Sequence, residues 1–311
     1  MNNVAMARAV QNAVRRRFHG NRTLIAKEPA RFPEFASEEY ARIARAYMRM
    51  LGRVLRAYLP AIRRAITAER EAERFDGAMR RDASVMRMIR QALENALMAF
   101  EKMATSFGLE RRIERIAAMA RRHSVREWKR IVRKTLGINI LEDHYSGEFY
   151  GHEIKRWVAK NVGLIKSLPG QSLTRMQNII EAGYLEGKSH TEIGRLIQEA
   201  YGIDRRRADF IARDQLGKLD GDLTEAQQRA AGVEEYEWSS SGDARVRECH
   251  AYLDGKTFRW DSPPEMWYMT KSRGRVYTGR KCHPKQDFQC RCVALTVFKI
   301  DTLNLPWEGG S

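Results

Sequence analysis

Three of the chain's four cysteines and one of its seven histidines fall within eleven residues, Cys282-His283-Pro284-Lys285-Gln286-Asp287-Phe288-Gln289-Cys290-Arg291-Cys292. The fourth cysteine, Cys249, stands beside His250. Thiolate sulfur and imidazole nitrogen are the donors tetrahedral zinc takes, and a loop-rich stretch with little regular core gains stability from such an ion. The economical ligand set is Cys290 and Cys292, one of Cys282 or His283, and one of Cys249 or His250. Adjacent residues point in different directions, however, and Cys-x-Cys is tighter than the common Cys-x2-Cys. A structural zinc therefore stands beside a plainer reading, in which the thiols and imidazoles fill and hydrogen-bond a small core. A disulfide and a catalytic site are the remaining alternatives. Asp243, Glu248, Asp254 and Asp287 lie close enough in sequence to serve a metal-dependent nuclease or hydrolase in residues 240–292. No His-Glu-x-x-His and no His-x-Glu with Pro-Cys-x-x-Cys assigns them a task, so the chain is read as a non-enzyme.

The elements that must position this cluster form a mainly α, α+β chain: long N-terminal helices, a helical module, then a small irregular β-containing C-terminal domain. Residues 1–36 start basic, with Arg15, Arg16 and Arg17, and then lose periodicity around Pro29 and Pro33; they read as an arm ordered on a partner. Residues 37–145 read as an extended helical docking region. There Ile43, Tyr47, Met50, Val54, Tyr58, Ile62 and Ile66 recur at three or four, and Pro60 should bend this helix without ending it. Phe75-Asp76-Gly77 predicts a break before a helix near 82–105, Gly108 a turn, and Ser124 with Glu127 a capping box that opens a new helix. Residues 150–231 read as helices, with Gly187 as a stop and Ser189 with Glu192 as a second capping box. Residues 232–298 hold short strand candidates at Tyr236-Glu237-Trp238-Ser239-Ser240-Ser241 and Lys256-Thr257-Phe258-Arg259-Trp260, and Val293, Leu295 and Val297 alternate as another. Residues 299–311 read as a tail.

Charge separates the two halves. The formal net charge is +17, and residues 1–150 hold 31 Lys plus Arg against 17 Asp plus Glu, while residues 151–311 hold 25 against 22. An acidic partner is expected at the first half. Arg42, Arg45, Arg49, Arg53 and Arg56 form a stripe with no acidic residue from Ala41 to Thr67. Such a row suits the phosphates of double-stranded DNA or an acidic protein surface; the plain alternative is a solvated helix face, which more often mixes signs. Arginine interrupts every apolar stretch, so no membrane span is read. No hydrophobic leader is read either, and a soluble protein made in a reducing cytoplasm is expected.

Over residues 150–298 the sequence resembles the minor head, or head-morphogenesis, proteins of Mu-type tailed bacteriophages. The resemblance starts at "RRRADFIARDQLGKLDGDLTEAQQRAAGV", continues through "EYEWSSSGDARVRECHAYLDGKTFRW" and closes with "HPKQDFQCRCVA". Arg213 takes the place of the family's helix arginine, and Trp238 that of its aromatic. Asp243, Arg245 and Arg247 form the Asp-x-Arg-Val-Arg segment. His250, Asp254-Gly255, His283-Pro284 and Cys290-Arg291-Cys292 complete the pattern. Two departures stand out: Ala212-Arg213-Asp214 replaces a frequent Arg-Thr-Glu, and Cys249 and Cys282 are additional thiols. The resemblance implies a minor structural protein of the virion, incorporated into the procapsid in the host cytoplasm. It would lie inside the head near the portal vertex, with portal, major capsid or scaffolding proteins as partners and a link to genome packaging or ejection. Some members carry a toxin domain after this module; none is expected in the thirteen or so residues that follow it here. On physical grounds Asp243 should cap local amides and pair with Arg245 or Arg247. Gly255 should hold a positive-φ turn, Pro284 should fix the approach to the Cys-Arg-Cys turn, and Trp238 and Trp260 should pack in the core.

Overall fold

The computed structural model describes residues 3–20, 22–76, 83–145 and 147–307. It is mainly helical with small antiparallel sheets, the α+β class expected. The helices are α1 (Asn3–Arg17), α2 (Glu34–Asp76), α3 (Ala83–Ala104), α4 (Leu109–Leu136), α5 (Gly151–Leu185), α6 (His190–Ala230) and α7 (Glu248–Leu253). The strands are β1 (Thr23–Ile25), β2 (Glu235–Ser239), β3 (Thr257–Arg259), β4 (Glu265–Thr270), β5 (Gly274–Lys281) and β6 (Val293–Lys299).

The chain divides into two compact units that interleave along the sequence. One comprises Met1–Ser37, Ile116–Trp157 and Arg213–Ser311; the other comprises Glu38–Arg115 and Val158–Ala212. Chain order is not unit order because α2, α4, α5 and α6 each run long enough to contribute to both.

Among the described residues the regular elements of the second unit are all helical. Ile43, Tyr47, Met50, Val54 and Ile62 are buried, as their spacing predicts, and Tyr58 is half-buried. The Ile66 side chain and residues 77–82, where the Phe75-Asp76-Gly77 break was expected, lie outside what is described. Pro60 stands inside α2 and Pro169 inside α5. Tyr201 donates from its hydroxyl to the Met48 carbonyl at 2.8 Å, and it packs over Gly52, where an added Cβ would come within 2.6 Å of the hydroxyl. Gly108 turns the chain at φ +63°, and Gly187 ends α5 at φ +73°. Ser189 and Glu192 form the reciprocal capping box, with Ser189 N donating to Glu192 Oε2 at 2.8 Å and Glu192 N to Ser189 Oγ at 3.2 Å.

The first unit carries the sheets. The four-stranded sheet has the order β1-β6-β2-β3, with every pair antiparallel, and β4 and β5 form a separate hairpin. The strands expected around Tyr236, Thr257 and Val293 are present; the β4–β5 hairpin inside the stretch read as irregular was not foreseen. Two expectations are corrected here. The first 36 residues are not a free arm: Val10 and Val14 of α1 are fully buried, and β1 pairs with β6 in the register Thr23↔Lys299 to Ile25↔Val297. A three-residue strand shows no period in sequence, so this pairing was not readable. Ser124 does not open a helix either. It lies within α4, buried, its Oγ 3.4 Å from Gln227 Oε1, while Glu127 accepts from the Arg31 backbone N–H at 2.9 Å and from Arg130.

Candidate metal centre

The short helix α7 separates the two neighbours Cys249 and His250. Cys249 enters the apolar cluster of Tyr236, Trp238, Leu253, Trp260, Met266 and Trp267. His250, also buried, turns toward the end of the Cys282–Cys292 segment. Its Nδ1 lies 3.6 Å from the Cys290 sulfur and 3.4 Å from the Cys292 sulfur, and all three donors fall within 4.8 Å of one another. Of the four ligand positions the sequence suggests, these are the ones the fold brings together. Cys282 is half-buried against the apolar cluster. His283 accepts the Tyr236 hydroxyl at Nδ1, 2.9 Å away, with its ring 4.8 Å from that of Trp260. Burial pushes its pKa down to about 4, so it is a neutral core histidine. All four thiols are free, which removes the disulfide reading.

Behind the imidazole stands Asp287. Its Oδ2 is 3.4 Å from His250 Nε2, an ion-pair contact without well-directed hydrogen-bond geometry. Arg280 Nη1 lies 3.0 Å and Arg247 Nη1 3.5 Å from the same carboxylate, whose side chain is 5% exposed. His250, the backbone N–H of Phe288 and the two arginines hold Asp287 well below the usual carboxylate range. Burial disfavours charge on His250, but Asp287 and Cys290 outweigh it and lift its pKa to about 9. The Cys292 thiol, with further help from His250, draws the Cys290 thiol down despite burial. The Lys285 backbone N–H also donates to the Cys290 sulfur at 3.4 Å.

This segment is seated on α6 by Gly217, Gly221 and Asp220, which no sequence motif singled out, together with Asp214. A Cβ at Gly221 would lie 3.1 Å from Lys285 Cβ and 3.3 Å from the Pro284 carbonyl; one at Gly217 would touch the Cys290 carbonyl at 4.0 Å. Two glycines four apart therefore give one helix face on which the segment's backbone rests. Flanking carboxylates fasten it: Asp214 Oδ1 accepts the Gln289 N–H at 2.7 Å, and buried Asp220 pairs with buried Lys285. Lys285 and Gln289 hold positive φ angles of 70° and 51°. Such backbone costs of order 1–3 kcal/mol per residue and persists only where its surroundings enforce it. The signal that could have found this seat is Gly217-x-x-x-Gly221 with an aspartate before and between.

The remaining motif residues brace the same region. Asp243 caps the Arg245 N–H at 2.9 Å as expected, but its main partner is Arg291, which holds its carboxylate far below the ordinary range; Arg245 is a weaker contact at 3.7 Å. Arg247 also donates to the Phe288 carbonyl at 2.6 Å. Asp254 accepts the Ser240 N–H at 2.6 Å, and Gly255, at φ +70°, donates to the Trp238 carbonyl at 2.8 Å. Pro284 is buried, and Trp238 and Trp260 are core residues. Arg213 lies 3.5 Å from Glu34 and over the Phe32 ring. Asp243, Asp254 and Asp287 are thus committed to holding loops together.

The arginine stripe divides. Arg42 pairs with Glu39 and Arg45 with Asp209, acids supplied from the preceding turn and from α6. Arg49, Arg53 and Arg56 are exposed and line a cavity of about 440 Å³ with Met50, Phe107 and Tyr201. In the other unit Arg15 pairs with Asp301, Arg17 contacts the Gly137 carbonyl at 3.4 Å, and Arg16 is exposed. Among the described residues no helix is long and apolar enough to cross a membrane.

Comparison with known proteins bears on the same segment. Residues 174–295 match the family described as Phage Mu protein F like protein. An uncharacterized protein of Haemophilus influenzae is 35% identical over 145 residues, 47% of this chain and 29% of the relative. A protein of Enterococcus faecalis named NAD(+)–arginine ADP-ribosyltransferase EFV is 29% identical over 127 residues, 39% of this chain and 25% of the relative. The chain therefore spans less than a third of the length of either relative. No solved structure matches.

Proposed function

From the Phage Mu protein F like module at residues 174–295, a family of phage head proteins, we propose that this chain is a minor structural protein of a tailed-phage head. In this reading it joins the procapsid during assembly in the host cytoplasm. It lies in the head interior near the portal vertex, with the portal protein and the major capsid or scaffolding protein as partners. The observation that carries the reading is the family match over the segment that holds the whole motif, from Arg213 to Cys292. The internal pairing of Asp243, Asp254 and Asp287 supports a scaffold over a hydrolase, because those carboxylates have structural partners. The transferase activity named for the Enterococcus relative is not carried over, since the shared part is 25% of that protein. The test is a reconstruction of the portal vertex from heads assembled with and without this chain. Density for the chain bound at the vertex is expected; heads that lack it in their protein content would reject the placement.

Arg49, Arg53 and Arg56 support a second role, contact with packaged double-stranded DNA. Three phosphate contacts would give a log–log salt slope of about −2.7. Replacing all three arginines with glutamine should flatten the slope by that amount, and a wild-type chain with no salt-dependent affinity for duplex DNA would remove this role.

A further inference from the structure

We propose that His250 Nδ1 and the Cys290 and Cys292 sulfurs hold a zinc ion, with Asp287 positioning the imidazole from behind. The donor spacing is the first argument. Metal–sulfur bonds of about 2.3 Å and metal–nitrogen bonds of about 2.0–2.1 Å, set at a tetrahedral angle, put the two donors about 3.6 Å apart. The observed separations are 3.6 and 3.4 Å. A hydrogen bond from a charged His250 has a single Nδ1–H to give, which can be directed at one of the two sulfurs but not well at both. A cation at the centre satisfies all three donors at once.

The surroundings make the second argument. A metal-bound histidine ordinarily turns its other ring nitrogen to a carboxylate, and His250 Nε2 faces Asp287 at 3.4 Å. The Lys285 N–H directed at the Cys290 sulfur is a donor that suits thiolate better than thiol. Soft sulfur and imidazole together select zinc over magnesium or calcium, whose ligands are oxygens. Cys290 is half-buried and lines a cavity of about 110 Å³, room enough for a solvent oxygen to complete the tetrahedron. The ion would tie α7 to the turn before β6, and its binding would count toward folding of the sheet-bearing unit.

The experiment uses the full chain purified without chelators. Elemental analysis should find about one zinc per chain, the stoichiometry of a single structural site. His250→Ala, Cys290→Ser and Cys292→Ser should lose it, while Cys249→Ser, Cys282→Ser and His283→Gln should keep it. Asp287→Asn should still fill at saturating zinc but bind about 10–100-fold more weakly. Should the ligand variants fail to fold, cobalt(II) replacement in the wild-type chain decides: visible d–d bands with a sulfur-to-metal charge-transfer band support the site. A wild-type chain that holds no zinc, gains no thermal stability from added zinc and gives no thiolate–cobalt band would overturn the proposal. So would zinc lost equally from the Cys249 and Cys282 variants.

Discussion

The two units solve burial in opposite ways. In the helical unit a stripe of Ile43, Tyr47, Met50, Val54 and Ile62 enters the core, and among the described residues the buried polar side chains are Asn161 and Ser172. In the sheet-bearing unit Asp214, Asp220, Lys285, Asp287, His250 and His283 are all buried, with His250 against Trp238 and His283 against Tyr236 and Trp260. An apolar core tolerates many side chains of similar volume, whereas a buried charge network depends on every partner being present. The sheet-bearing unit should therefore be the fragile one, and each of its weak points can be probed by a single substitution.

The largest effect should come from the Asp220–Lys285 pair. Lys285→Met leaves Asp220 buried and unpaired, which should cost about 3–5 kcal/mol, while Asp220→Leu with Lys285→Met should recover most of that loss. Hydrogen exchange of the β2 and β6 amides reads this unit by itself. Equal loss in the single and double variants would break the comparison.

Acid should come next. His283 titrates at about 4 in the folded chain against an ordinary 6.5. The unfolded chain takes up the proton first, so this contribution is fully present above pH 6.5 and is lost as pH falls toward 4. It should amount to about 3 kcal/mol. His283→Gln should flatten that limb of the stability–pH curve; an unchanged slope would show that other groups carry it.

A pair of glycines sharpens the contrast at smaller scale. Both lie in α6, where alanine in open space should stabilise by up to about 1 kcal/mol. Gly194, in the helical unit, has nothing within 4 Å of an added Cβ, so Gly194→Ala should show that gain. Gly221→Ala should instead lose about 1–3 kcal/mol, because its Cβ meets the Pro284 carbonyl, a backbone atom that cannot step aside. Thermal melts of the two variants should move in opposite directions. The smallest effect belongs to Arg53→Gln on the exposed face of α2, expected within about 0.5 kcal/mol.

The same contrast explains what could be read in advance. Where one element decides, sequence was enough: the helical period of Ile43 to Ile62, the Ser189–Glu192 box, the turn at Gly108, and the alternation at Val293 to Val297. Where two elements meet, it was not. Ser124 looks like a boundary, yet it lies inside α4, its side chain buried against Gln227 rather than capping a helix start. The three clustered donors were among the candidates, but choosing His250 over Cys249 depends on the rotation of α7, and setting aside Cys282 and His283 depends on where Tyr236 and Trp260 lie. The scarcity of acids beside the arginine stripe likewise overstated its freedom, since Asp209 arrives from 164 residues away to meet Arg45.

One pairing has a consequence for how the molecule is made. Strand β6 lies between β1 and β2, so residues 23–25 have no partner in the sheet until residues 293–299 have been synthesised. The nascent chain must carry an unfinished edge through nearly all of translation, when stray strand pairing is the main hazard. Contacts so distant in sequence also slow folding once the chain is released. Completion of this unit is thereby tied to synthesis of its last strand.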